Sequence, residues 1–286
     1  MLVIVGSIVV IVAVFGGFAL EGGHMAVLWQ PIELLIIGGA ALGSLLISAT
    51  PQLIKDIIAR VLGTIKPSEV NKEYYIEWLK LLFELTKTAK ANPLSLEPHV
   101  ENPEGSEIFK RYPKPLHNHH AIHFLTDTLK VQISSAMNPY DLEDLMDADI
   151  ATAHAEELQV PAIVTRVGDA MPGLGIVAAV LGVVITMGKL SQGKEVIGHS
   201  VAAALVGTFL GILLSYGFFQ PLSAQIDLKI NEEGKVLTVI KACLLAFAKD
   251  CSPKVCVEFA RRTIPPSVRP SFEEVDKATS GAGKAA

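Results

Sequence analysis

Long uncharged runs dominate the pattern of apolar and polar positions along the chain. Met1 to Leu20 carries no charge before Glu21, and Leu34 to Ile54 none between Glu33 and Lys55. Ala170 to Gly188 is clean between Asp169 and Lys189, and Val196 to Ile226 between Glu195 and Asp227. About 20 predominantly apolar residues take a helix across the hydrocarbon core, so each run predicts a membrane span. The first run lacks a basic leading segment and a small-x-small cleavage site, and an equally apolar run follows it. It is expected to stay as an anchor and not to be removed as a signal peptide.

Between Pro51 and Arg166 the period changes to that of amphipathic helices. Ile76, Leu79, Leu82 and Phe83 share one face, as do Ile122, Leu125, Leu129 and Ile133. Asn138-Pro139 followed by Asp141, Glu143 and Asp144 reads as a helix start, with a cap, proline at the first position and acids in the first turn. Beyond the fourth run Val236, Val239, Ile240, Cys243, Leu244 and Phe247 form a further stripe. No strand pattern appears, which predicts an all-α membrane protein. Spans one and two occupy residues 1–50, a helical cytoplasmic domain 51–167, spans three and four 168–221, and a C-terminal cytoplasmic helix and tail 222–286. The small, polar end from Ala278 to Ala286 is expected to be disordered.

Composition supports this class: half of the 286 residues are apolar and the mean hydropathy is +0.44. Of the 24 Lys and Arg residues, all but Lys189 and Lys194 lie in the middle and C-terminal segments. The positive-inside rule places those segments, and with them both termini, on the cytoplasmic side of the membrane. The net charge of -5 points to no nucleic acid. Cys243, Cys251 and Cys256 all fall in the cytoplasmic tail, where thiols stay reduced, and read as packing residues. The group His117, His119, His120 and His123 has one pair a helical turn apart, yet it reads as a solvated helix face before a metal site. No metal or cofactor is called for. The acidic run from Asp141 to Glu157 reads as a solvent face, with docking to a basic partner as the alternative.

The spans themselves are poor in chemistry. An ion pathway through hydrocarbon normally shows an ionisable side chain at mid-depth, and none of the four runs contains Asp, Glu, Lys or Arg. Glu33 stands at the start of the second span, Asp169 at the mouth of the third, and His199 near the outer end of the fourth. If the chain moves ions, another chain must bring the carboxylate. Small residues recur at helical spacing instead: Ala203, Gly207, Gly211 and Ser215; Ala178, Gly182 and Thr186; Gly39 and Gly43. These are helix-packing faces, either within the chain or around a foreign helix, with Thr186 and Thr208 as the polar groups at depth. Pro172 and Pro221 mark similar depth in spans three and four, and each follows a glycine by four residues, Gly168 and Gly217. They are either helix boundaries or a paired hinge. Gly173-Leu174-Gly175 is no dinucleotide fingerprint, since no strand precedes it, and no nucleophile, base and oxyanion arrangement suggests an enzyme.

The stretch from Val167 through Pro172 and Gly175 to Val180 resembles the third span of the MotA family of flagellar stator ring proteins. Val206-Gly207-Thr208-Phe209-Leu210-Gly211-Ile212-Leu213-Leu214, with Tyr216-Gly217 and Pro221-Leu222, resembles the fourth. Glu101-Asn102-Pro103, Ser106-Glu107-Ile108-Phe109, Val257-Glu258-Phe259 and Arg269-Pro270-Ser271-Phe272 are similar to its cytoplasmic segments. The resemblance implies a ring, expected to be a pentamer, around a MotB-like one-span partner that supplies the membrane aspartate. It also implies a FliG-like rotor protein touched by Lys90 and Glu97, and a coupling role for Pro172 and Pro221. Sodium-driven relatives tend to carry threonine where this chain has Ala179, so the resemblance implies protons as the transported ion, along a path lined by Thr186, Ala179 and Thr208. A missing hydroxyl denies a sodium ion one of the oxygens it needs on dehydration. The alternatives are a sodium-driven stator, a TolQ or ExbB type energiser, which shares only the last two spans, and a scaffold without ion flux.

Overall fold

The computed structural model describes residues 2–135, 137–189, 191 and 193–282, and among these it is helical with no strand. The helices are α1 (Leu2–Leu20), α2 (Met25–Leu28), α3 (Pro31–Ser48), α4 (Pro51–Gly63) and α5 (Lys72–Ala91). A 3-10 turn, Pro93–Leu96, leads to α6 (Glu97–Glu101), α7 (Glu107–Lys110), α8 (Pro113–His117), α9 (His119–Ser134), α10 (Pro139–Glu157) and α11 (Gln159–Met187). Then come α12 (Lys194–Leu214), α13 (Gln220–Ala248), α14 (Pro253–Thr263) and α15 (Phe272–Ala282). They form two compact units, Met1–Pro67 with Glu156–Lys229 and Ser68–Ala155 with Ile230–Ala286.

The first unit holds four helical stretches long and apolar enough to cross a membrane, one for each uncharged run. α1 buries no residue of its own, as expected of a helix that is apolar all round. α11 and α12 pack along one another, and α3 lies against both through Glu33, Ile37 and Ala41, one residue per turn. Thr50 caps α4 by accepting a hydrogen bond from the Leu53 N–H at 3.3 Å, with Pro51 at the first helical position. Between α12 and α13 the chain makes a π-helical turn over Ser215–Phe219, which the apolar pattern alone did not suggest. Its cause is Pro221, whose ring removes an N–H and crowds the carbonyl four residues back; a one-residue widening of the helix accommodates both effects.

The second unit is organised around α5. Its stripe is wider than the periodicity implied: Tyr74, Tyr75, Trp78, Leu81 and Leu85 are buried beside Leu79 and Leu82, because α7, α8, α14 and α15 pack around it. Val236, Val239, Ile240, Cys243 and Leu244 join the same core, as their spacing predicted, and Leu125 and Leu129 of α9 do likewise. Asn138 caps α10, its Oδ1 accepting from the N–H groups of Tyr140 and Asp141 at 2.9 and 3.0 Å. The acidic run that follows is not wholly a solvent face, since Lys241 pairs with Glu143 and Asp147 at 3.3 and 2.6 Å. Cys243 and Cys256 are buried free thiols, and burial pushes the Cys256 thiol up to about 11, which makes it a poor nucleophile.

The C-terminal expectation needs correction. Residues 278–282 close α15, with Val275 and Thr279 buried, while 283–286 lie outside the described residues. The signal was present in Ser271-x-x-Glu274: Ser271 Oγ accepts from the Glu274 N–H at 3.1 Å, and the Glu274 carboxylate accepts from the Ser271 N–H at 2.6 Å. This reciprocal box starts a helix that composition alone reads as tail.

One ion cluster makes the second unit pH-sensitive. Glu258 accepts from Arg261 at 2.7 and 2.8 Å and from Arg262 at 2.7 Å, and these hydrogen bonds lower its carboxyl from the ordinary 4.5 to about 2. A lowered folded-state value contributes stability that is full above the ordinary value and fades as pH falls through the folded one. Melting temperature of the purified chain should therefore drop between about pH 4.5 and 2, and Glu258→Gln should flatten that part of the profile. Equal slopes in the two proteins would show that the cluster contributes nothing.

Candidate functional site

The best-defined feature of the first unit is a seam of glycines between α11 and α12. A Cβ added to Gly175 would stand 2.6 Å from the Gly207 carbonyl oxygen, one on Gly211 2.5 Å from the Met171 carbonyl oxygen, and one on Gly182 2.7 Å from the Ala204 Cβ. Ala178 and Ala204 are almost fully buried in the same seam. Backbone therefore meets backbone, the arrangement that small residues permit in membranes, where apolar burial gives helices little reason to associate. Gly207 and Gly211 lie where α12 meets α11 within the chain. A Cβ on Gly39 or Gly43 would meet nothing within 4 Å, so that ladder is not used inside the chain.

Glu33 enters this seam. The sequence reading left it at the boundary of the second span, but the side chain is 8% exposed and rests where the glycines leave room. A Cβ on Gly207 would lie 2.8 Å from Glu33 Oε2, and one on Gly182 3.6 Å from Oε1. Oε2 has no hydrogen-bond partner. Charge counting along the span could not find this contact, because Glu33 closes the α3 stripe it shares with Ile37 and Ala41 only when α3 is laid on α11 and α12.

Of the three predicted pathway residues, two adjoin. The Ala179 N lies 3.2 Å from the position of a Gly207 Cβ, and the Thr208 Cα 3.3 Å from that of a Gly175 Cβ; both residues are half-buried. Thr186 is fully buried, and its hydroxyl donates to the Gly182 carbonyl oxygen at 2.8 Å in its own helix. A hydroxyl bonded in this way satisfies itself locally and leaves only its acceptor side for another group.

The two prolines do not share one level: Gly168 packs on Phe219 and Thr165 reaches Ser223, so Pro221 lies beside residues 165–168, while Met171, next to Pro172, meets Gly211. Pro172 is inside α11 and Pro221 is the second residue of α13, after the π-helical turn. A Cβ on Gly168 would lie 3.0 Å from the Phe219 Cβ, and Gln220 Nε2 donates to Asp169 Oδ1 at 2.8 Å. The glycine four residues before Pro172 thus has a second reason to be glycine, namely close approach of the π-helical turn. The Ser215 hydroxyl in the π-helical turn is buried without a partner, and such turns are where a helix most easily changes register. Next to this turn a cleft of about 580 Å³ is lined by Leu158, Pro161, Thr165, Gln220, Ser223 and Asp227 among others. Thr165 Oγ1 and Ser223 Oγ lie 2.7 Å apart across it, and Ser223 donates to the Pro161 carbonyl oxygen at 2.7 Å.

Lys90 and Glu97, in the second unit, are both exposed. Lys90 also has an internal task. α13 ends in a Schellman turn, with the Asp250 N–H on the Phe247 carbonyl, the Cys251 N–H on the Ala246 carbonyl, and Asp250 in the left-handed region at φ 60°. Lys90 Nζ donates to the Asp250 carbonyl and carboxylate oxygens, each at 3.0 Å, so it stands at the negative end of that helix. Glu97 opens α6 with no such duty. His119, His120 and His123 are exposed, His117 Nδ1 is 2.6 Å from the Pro113 carbonyl oxygen, and among the described residues no group of three or more His, Cys, Asp or Glu is set to hold a metal.

Four spans, a glycine seam and a pair of proline breaks define a multi-pass helical membrane protein of the channel-forming kind. Comparison gives the family: residues 4–93 match the profile described as motility protein A N-terminal, and 117–238 that of the MotA/TolQ/ExbB proton channel family. The chain is 40% identical to motility protein A of Salmonella typhimurium over 279 residues, covering 97% of this chain and 94% of that one, and the same holds for motility protein A of Escherichia coli. The chain belongs to the motility protein A family. Its fold is that of the C. jejuni MotAB structure (TM-score 0.75, 19% identity, 94% of this chain and 98% of the other) and of the flagellar MotAB stator complex from Bacillus subtilis (TM-score 0.70, 22% identity, 89% and 92%). A TolQ or ExbB type energiser is set aside by the match over the first two spans.

The seam makes a direct prediction. Gly211→Val forces a side chain against backbone, which has no rotamer to yield, and should cost about 1–3 kcal/mol. It should appear as a lower melting temperature in detergent and a reduced level in the membrane, whereas Gly39→Ala should change neither. A Gly211→Val protein as stable as the parent would mean that the two helices do not meet there.

Proposed function

We infer that this chain is the ring subunit of a flagellar stator, which passes protons across the inner membrane together with a one-span, MotB-like partner and turns their flow into torque. The near end-to-end relationship to motility protein A carries this reading. The make-up of the chain supports the division of labour: the uncharged runs hold no Asp, Glu, Lys or Arg, so the ion-carrying aspartate comes from the partner, ringed by five copies of this chain. Both termini and the second unit face the cytoplasm, in keeping with the basic residues clustered there.

The physical cycle follows. Each proton crossing releases about 2.3 kcal/mol per 100 mV. Protonation removes the charge of the partner aspartate and lets it pass the apolar wall formed by α11 and α12; release on the cytoplasmic side restores it. Ala179 and Thr208 line that wall. Thr186, with its hydroxyl on the Gly182 carbonyl, shapes it without offering a free ligand set. The helices bend at Pro172 and at Pro221 with each step, with Asp169 and Gln220 tying α11 to α13 between them, and α13, which contributes residues to both units, carries the bend to the surface where Lys90 and Glu97 meet a FliG-like rotor protein.

Protons are favoured over sodium because Ala179 lacks a hydroxyl and a dehydrated sodium ion needs several oxygens at once. Swimming driven by this chain and its partner should persist in sodium-free medium and stop within seconds of adding a protonophore. Rotation that fails on sodium removal with the proton-motive force intact would reverse the choice of ion.

A further inference from the structure

Among the described residues Glu33 is the one acidic side chain that the spans bury, and the stator cycle above makes no use of it. Three observations set it apart from a helix-end charge. It is more than nine-tenths buried, although it lies in the first turn of α3. Its Oε2 has no hydrogen-bond partner. The space it fills exists because Gly207 of the facing helix lacks a Cβ, which would stand 2.8 Å from Oε2, and Gly182 lies alongside, its Cβ position 3.6 Å from Oε1. A carboxyl kept only to cap or to pair would find a donor, and a residue kept only to pack would not be an acid: the desolvation of an unpaired carboxylate costs several kcal/mol. Such a group is tolerated where it carries a proton, and an ionisable residue within a span is a functional site by default.

The location narrows the role. Gly182 lies five residues before the end of α11 at Met187, and Glu33 is in the first turn of α3, so Glu33 sits toward the end of α11 that is away from α4. Along the seam it abuts Gly207, the neighbour of Thr208 and of Ala179. It therefore stands between the outer end of the spans and the wall assigned to the ion path.

We propose that Glu33 is a proton-loading site at the outer entrance of the pathway, cradled by Gly182 and Gly207. In this scheme its carboxyl starts with a proton. It transfers its proton to the partner carboxylate, one O–H bond breaking at Glu33 as one forms on the partner; the negative charge moves to Glu33, and a hydronium ion from the outer side restores the acid and leaves water. Charge and protons balance with no further reactant. The proposal rests on the reading of the chain as a proton-conducting stator subunit, and the test separates the two.

The test uses membrane vesicles holding the chain with its one-span partner, with proton entry under an imposed potential followed by a pH-sensitive dye. The parent complex is measured first: if it passes no protons, the stator reading itself fails. Given flux in the parent, Glu33→Gln should accumulate and assemble normally, because an amide replaces a neutral carboxyl in shape, and should lower flux at least tenfold. Glu33→Asp should recover part of it. The carbonyl stretch of a protonated carboxylic acid in the infrared spectrum of the purified parent complex should be lost in Glu33→Gln and displaced in Glu33→Asp. Glu33→Gln that conducts like the parent overturns the proposal. So does Glu33→Gln that fails to accumulate, since a neutral site tolerates the amide, and so does an infrared spectrum unchanged by the substitution.

Discussion

Everything in the first unit depends on backbone-to-backbone contact between α11 and α12. In hydrocarbon, apolar side chains gain nothing by leaving lipid for protein, so helices hold together through close van der Waals approach and whatever polar contacts they can make. Gly175, Gly182, Gly207 and Gly211 supply that approach, each at a position where a methyl group would meet backbone or a neighbouring Cβ within 2.5 to 2.8 Å, or in the case of Gly207 the Glu33 carboxylate at 2.8 Å. The same missing methyl groups that join the two helices open the space for the Glu33 carboxyl and set Ala179 beside Gly207. Structure and chemistry thus draw on one set of glycines, and no side chain can be added there to gain one without losing the other.

The second constraint is proline. A helix that crosses the bilayer has no water to satisfy a freed carbonyl, so a break must be repaired by local geometry or neighbouring groups. α12 and α13 resolve Pro221 through the π-helical turn over Ser215–Phe219, while α11 carries Pro172 within a continuous helix. The two prolines are therefore unlike in their surroundings. The hydrogen bond from Gln220 to Asp169 ties α13 to α11 between them.

Much of this was legible in the residues. Runs without charge marked the spans, since length and apolarity are what the bilayer demands, and the stripe from Val236 to Leu244 marked a core helix because its period is that of a helix with one buried face. Other features were not legible, each for a physical reason. The burial of Glu33 depends on how α3 lies on its neighbours, which no single-helix pattern contains. The burial of Tyr74, Tyr75 and Trp78 around the whole of α5 reflects helices from distant parts of the chain. α15 was hidden by composition and betrayed only by the Ser271 and Glu274 box. The bond from Lys90 to the Schellman turn was not legible because the turn is 160 residues away in sequence.

The central claim is that the chain builds the wall of a proton path but not its carrier. Its most direct test is proton entry into liposomes under an imposed potential, with the purified chain reconstituted alone and then with a one-span partner bearing a membrane aspartate. The account predicts no entry above the protein-free baseline for the chain alone, Glu33 notwithstanding, and voltage-dependent entry once the partner is present. Proton entry through the chain alone would contradict it.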